Sequence, residues 1–87
     1  MKDKHPEWNK VISITPEFMA ESLGNLKYDE LAEFLKLLAE KIDQDGQKDA
    51  SRGRTQLGQS LHDAAKNLDQ AAEDIEKAWI ICKPYMK

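Results

Sequence analysis

The stretch that decides the fold runs from Asp49 to Cys82, DASRGRTQLGQSLHDAAKNLDQAAEDIEKAWIIC. With Leu61 at heptad position a, the residues Leu61, Leu68, Ile75 and Cys82 fall on successive a positions, and Leu57, Ala64, Ala71 and Ala78 fall on d. The e positions, Gly58, Ala65, Ala72 and Trp79, widen the apolar stripe to three places in seven, the width of a helix in a globular bundle. The spacing predicts one long helix over 50–82 whose apolar face needs a partner. Ala64, Ala65, Ala71, Ala72 and Ala78, with Gly58, also predict a face on which another backbone can approach at the close end of the ~8 to 10 Å interaxial range.

Upstream of that helix, Asp45-Gly46-Gln47-Lys48 interrupts the pattern and reads as a turn, with Asp49 or Ser51 as the helix cap. Before the turn, Leu31, Phe34, Leu35, Leu38 and Ile42 recur at spacings of three and four and predict a helix over 28–45. So short a connection makes the two helices antiparallel neighbours. At ~1.5 Å per residue they would be roughly 27 Å and 50 Å long, leaving an overhang of some 20 Å at Ile75, Trp79 and Cys82.

A shorter helix is predicted over 16–23. Thr15 can cap it, Pro16 stands where no N–H is missed, Glu17 favours the positive dipole end, and Gly24-Asn25 stops it. Trp8, Val11, Ile12 and Ile14 are too apolar for a tail, so residues 8–14 are predicted to lie as an extended strap against the helices. Residues 1–7 are polar and read as a mobile end. The fold class that results is all-α: a small antiparallel helical bundle in one domain over 1–87, formed by a short helix and a helical hairpin with a long C-terminal arm.

Composition narrows the function. The sequence has 87 residues, 40% of them hydrophobic, with 13 Lys and Arg against 16 Asp and Glu. A chain of this size buries only about 60 to 65% of its unfolded surface, so helix packing or association must supply stability. The net charge of −3 is the wrong sign for a nonspecific nucleic-acid binder. The longest strictly apolar run is Trp79-Ile80-Ile81-Cys82, far too short for a membrane span or a leader. A soluble, cytoplasmic protein is the expectation, and the single Cys agrees with a reducing compartment.

No pattern for catalysis stands out, and no cofactor or metal is expected. Asp43, Asp45 and Asp49 around Gly46 resemble calcium-loop ligands, but Lys41 and Arg52 occupy the first and twelfth places where carboxylates belong. His62 lacks a companion at metal-ligand spacing, and Cys82 sits at a core position with no base in sight. A DNA-reading helix-turn-helix around Ala20 and Gly24 would present Asp29, Glu30 and Glu33 to phosphates. The acidic residues Asp69, Glu73, Asp74 and Glu76 read as a solvated face.

Two readings follow. The first is a non-enzymatic protein-interaction or oligomerisation module, a homo-oligomer with a dimer favoured, or an adaptor for another protein. Its contact surface would be Ala71, Ala72, Ile75, Trp79, Ile80, Ile81 and Tyr85, with Met86 extending the apolar end. The second is a regulator that binds an anionic ligand or a nucleic-acid-associated partner through Lys48, Arg52 and Arg54.

Overall fold

The structure is a computed structural model that describes residues 5–85. Met1 to Lys4 and Met86 to Lys87 lie outside the described residues, and with them part of the predicted mobile end and the Met86 contribution to the apolar end. Among the described residues the fold is all-α, in the order α1 (Trp8–Val11), α2 (Pro16–Gly24), α3 (Tyr28–Ser51) and α4 (Thr55–Cys82), followed by a 3₁₀ turn over Lys83–Tyr85.

Local chemistry explains most boundaries. Thr15 caps α2 as its hydroxyl accepts the Phe18 amide at 3.1 Å, and Pro16 opens the helix. Asn25 ends it, its N–H bonded to the Glu21 carbonyl at 3.0 Å. Trp8 to Ile14 is not an extended strap: Trp8–Val11 makes one helical turn, and the indole N–H of Trp8 donates to the Ile14 carbonyl at 2.6 Å. That bond ties the start of the segment to its end and folds it back on itself.

The turn between the long helices is displaced from the expected place. Asp45-Gly46-Gln47-Lys48 lies inside α3, which continues to Ser51, and the chain reverses at Arg52-Gly53-Arg54. Gly53 has φ +85°, the left-handed conformation that favours glycine. The Gly53 N–H bonds to the Ala50 carbonyl at 3.0 Å and the Arg54 N–H to the Asp49 carbonyl at 2.9 Å. Together they form a Schellman motif that satisfies the last carbonyls of α3. Gly46 stays helical because its missing side chain is needed elsewhere: a Cβ there would lie 3.0 Å from the Gly58 carbonyl oxygen.

With α3 longer and α4 beginning at Thr55, their lengths are about 36 and 42 Å. The expected overhang therefore shrinks to the last turns of α4. Ile75, Trp79 and Cys82 are half-buried there, and Cys82 borders a recess lined by Gly24, Leu26 and Tyr28 at the α2 to α3 connection.

The interface between α3 and α4 is made of small residues. Ala32, Ala39 and Gly46 on α3, and Gly58, Ala65 and Ala72 on α4, are the buried residues of the two helices, spaced seven apart in each. Gly46 faces Gly58, so the antiparallel register sets Ala39 opposite Ala65 and Ala32 opposite Ala72. The e positions of α4 thus form the seam. Its a positions, Leu61, Leu68 and Ile75, are half-buried at the flank, while Leu57, Ala64 and Ala71 at d are exposed. Of the predicted three-wide stripe, only the e row enters the hairpin, for a geometric reason: two rows of Ala and Gly let the backbones meet closely, and larger side chains cannot enter that gap.

Candidate interaction surface

Because the seam takes up the small residues, the larger apolar side chains are turned to one side of the hairpin. On a helix, positions a and d lie to the same side of e, and the equivalent places on α3 are Leu31 and Leu38, and Leu35 and Ile42. The approximate two-fold relation between antiparallel helices puts both sets on one face. Leu31, Leu35, Ile42, Leu61, Leu68 and Ile75 are half-buried, while Leu38 and Leu57 are 38% and 45% exposed.

The opposite face is polar and stitched across. The Lys36 ammonium meets the Glu76 carboxylate at 3.0 Å, and His62 Nδ1 lies 3.0 Å from Asp43 Oδ1. Gln47 donates to the other Asp43 oxygen at 3.0 Å. These groups are exposed, so each pair contributes only about 0 to 1 kcal/mol. Their effect is to mark which side of the hairpin faces water.

At the turn, charges close the apolar stripe of α3. Asp45 and Asp49 continue its heptad beyond Leu38 and Ile42. Lys41 donates to both Asp45 oxygens at 2.7 Å and holds that carboxyl below the usual carboxylate range. Arg54 grips Asp49 through Nη2 at 2.7 Å and Nε at 3.0 Å, a cross-turn pair in which each charge offsets the other's unfavourable place at its helix end.

The predicted residues separate when placed on this frame. Ala72 is fully buried against α3, while its neighbour Ala71 is exposed on the outer side of α4. Ile75 and Trp79 are half-buried. Ile80, Ile81 and Tyr85 are 70%, 71% and 84% exposed at the open end. Ala72 therefore belongs to the hairpin's own seam, Ala71 and Ile75 lie on the open a and d side, and Ile80, Ile81 and Tyr85 stand exposed around the C-terminal end of α4. Lys48, Arg52 and Arg54 do come together, lining one recess with His5, Lys41, Asp45 and Asp49.

Sequence reasoning missed the His62 to Asp43 contact, which spans 19 positions and depends on the hairpin register. It also missed the α3 half of the seam, although Ala32, Ala39 and Gly46 at intervals of seven were there to be read.

Among the described residues, no three His, Cys, Asp or Glu side chains converge in a way that could hold a metal ion. No described helix is long and apolar enough to cross a membrane. Comparison with family models, curated proteins and solved structures finds no match in any of the three.

Proposed function

We propose that the chain is a non-enzymatic helical interaction module that works by setting the open face of the α3/α4 hairpin against another helical surface. The observation that carries this reading is the burial pattern. Ala32, Ala39, Ala65 and Ala72 are the buried apolar residues among those described, while on the open face Leu38 and Leu57 are 38% and 45% exposed and Leu31, Leu35, Ile42, Leu61, Leu68 and Ile75 are only half-buried. Alanine burial brings little hydrophobic free energy, whereas each Leu, Ile or Phe taken fully from water contributes about 1.5 to 3 kcal/mol. In this reading the hairpin is one half of a small antiparallel bundle, and association completes it.

The test is how the purified chain behaves alone. A module of this kind either assembles, with a melting midpoint that rises with protein concentration, or exposes its face and binds a hydrophobic dye. A monomer that melts cooperatively above about 65 °C, independent of concentration and without dye binding, contradicts it.

A second reading draws on the recess at the turn, where Lys48, Arg52 and Arg54 gather beside His5 and Lys41. An anionic ligand or nucleic-acid-associated partner would bind there, in a salt-sensitive manner. Arg54 is already engaged by Asp49, which favours the first reading. Arg52→Ala combined with Arg54→Ala should abolish such binding without altering assembly, and salt-insensitive binding would count against it.

A further inference from the structure

The hairpin is one helix layer thick. Two helices side by side make a single layer, and the whole chain, with principal extents of 51 × 27 × 13 Å, is flat and elongated. Domains bury their apolar faces between two packed layers, so a single layer leaves one such face open. The accessible surface says the same. It is 7195 Å², whereas a compact monomer of 9.9 kDa exposes about 5,200 Å². Only about half of the unfolded surface is buried. The excess of about 2,000 Å² belongs to the whole chain, the exposed α1 and α2 segment included, and is more than the ~800 Å² per partner that a standard interface buries.

We infer that the missing layer is a second copy of this chain, packed so that the two α4 helices run antiparallel along their a and d rows. This rests on the interaction reading above and names its partner. The sequence of α4 supports the pairing by size. In an antiparallel pair, a positions meet d positions of the other helix; in a parallel pair, a meets a and d meets d. Here a is large and d is small, so parallel packing would alternate crowded Leu layers with empty Ala layers. Antiparallel packing puts large against small throughout, as close-packed layers require.

One register gives complete overlap. Leu61, Leu68, Ile75 and Cys82 then meet Ala78, Ala71, Ala64 and Leu57 of the second copy. The one large d residue, Leu57, falls opposite the one small a residue, Cys82. The two-fold axis passes between Asp69 and Gln70. On the seam's outer flank, Asn67 meets Asp74 and Ser60 meets Ile81, so no like charges oppose each other.

The same axis is consistent with α3. Carried through the register that Gly46 and Gly58 set, it brings Leu31 against Leu38 of the second copy. Asp45 and Asp49, the charged continuation of the α3 stripe, fall beyond the N-terminus of the other α3. No carboxylate is trapped between the apolar rows.

Intermolecular distances test this. Spin labels are placed one per variant at Gln59→Cys, Lys66→Cys, Glu73→Cys and Ile80→Cys in a Cys82→Ala background, all on the side of α4 away from the seam. The axial offset between copies is then about 10 Å at positions 66 and 73 and about 31 Å at 59 and 80. The expected result is a pair of short distances in the middle and a pair of long ones, equal to each other, at the ends. Equal distances at all four positions would overturn the antiparallel seam. A monomeric mass with no intermolecular distance would overturn the second copy as the partner. If that monomer still binds a hydrophobic dye, the interaction reading survives; if it does not, both fail.

Discussion

Gly46 and Gly58 meet backbone to backbone. A Cβ added to Gly58 would lie 2.7 Å from the Gly46 carbonyl oxygen and 2.9 Å from the Ala50 Cβ, and neither atom can swing aside as a flexible side chain would. The contact fixes how closely α3 and α4 approach, and through their register it decides which residues become seam and which remain open.

Gly58→Ala should therefore destabilise the fold. Alanine favours a helix interior by about 1 kcal/mol over glycine, but overpacking a rigid contact costs typically 1 to 3 kcal/mol. The net expected loss is up to about 2 kcal/mol, read from urea unfolding at fixed protein concentration. Gly24→Ala, where nothing lies within 4 Å, is the control and should be neutral or slightly stabilising.

Gly53→Ala should also destabilise, for a different reason. Nothing crowds its side-chain position, but φ is +85°. The left-handed conformation disfavours L-residues by about 1 to 2 kcal/mol, so the loss should be of that order and Gly53→Asn should recover part of it. Equal stability of the Ala and Gly proteins would show that the turn relaxes to another conformation.

Ala71→Glu and Ala72→Glu separate the two faces of α4. Ala72 is fully buried in the hairpin, and a carboxylate there should abolish the folded state. Ala71 is exposed on the open side. Its variant should keep its helical circular dichroism and lose association. Matching behaviour of the two would mean that they share one environment.

Acid should weaken the turn end through Asp45. Its carboxyl is held below the ordinary value, chiefly by the hydrogen bonds from Lys41, so it contributes stability above the unfolded value of about 3.9 and loses it as pH falls through the lowered value. Asp45→Asn should melt slightly below the wild type at pH 7, the gap closing below about pH 4. A gap that persists unchanged at pH 2 would assign the effect to something other than ionisation.

What was legible in the sequence, and what was not, follows from the range of each cue. Thr15-Pro16 carries its own reason for starting a helix, and the three-and-four spacing from Leu31 to Ile42 marks α3, because both signals are local. The choice of turn was not local. Gly46 and Gly53 stand seven residues apart, each beside polar residues suited to reversal, and Asp45-Gly46 is the more usual turn pair. Gly46 remains in the helix because Gly58 lies against it from the other arm. In the same way, the pattern of α4 alone cannot tell Ala71 from Ala72. The matching row Ala32, Ala39 and Gly46 on α3 selects the e positions for the seam and leaves a and d at its edge. His62 and Asp43 could be joined only once that register was known.

The central claim is that the hairpin is half of a core and that a second copy supplies the rest. Light scattering on the purified chain, from low micromolar to several hundred micromolar, tests it most directly. The account predicts a particle of twice the 9.9 kDa chain mass, shifted to the single-chain mass by Ala71→Glu. A wild-type mass of one chain throughout that range would contradict it.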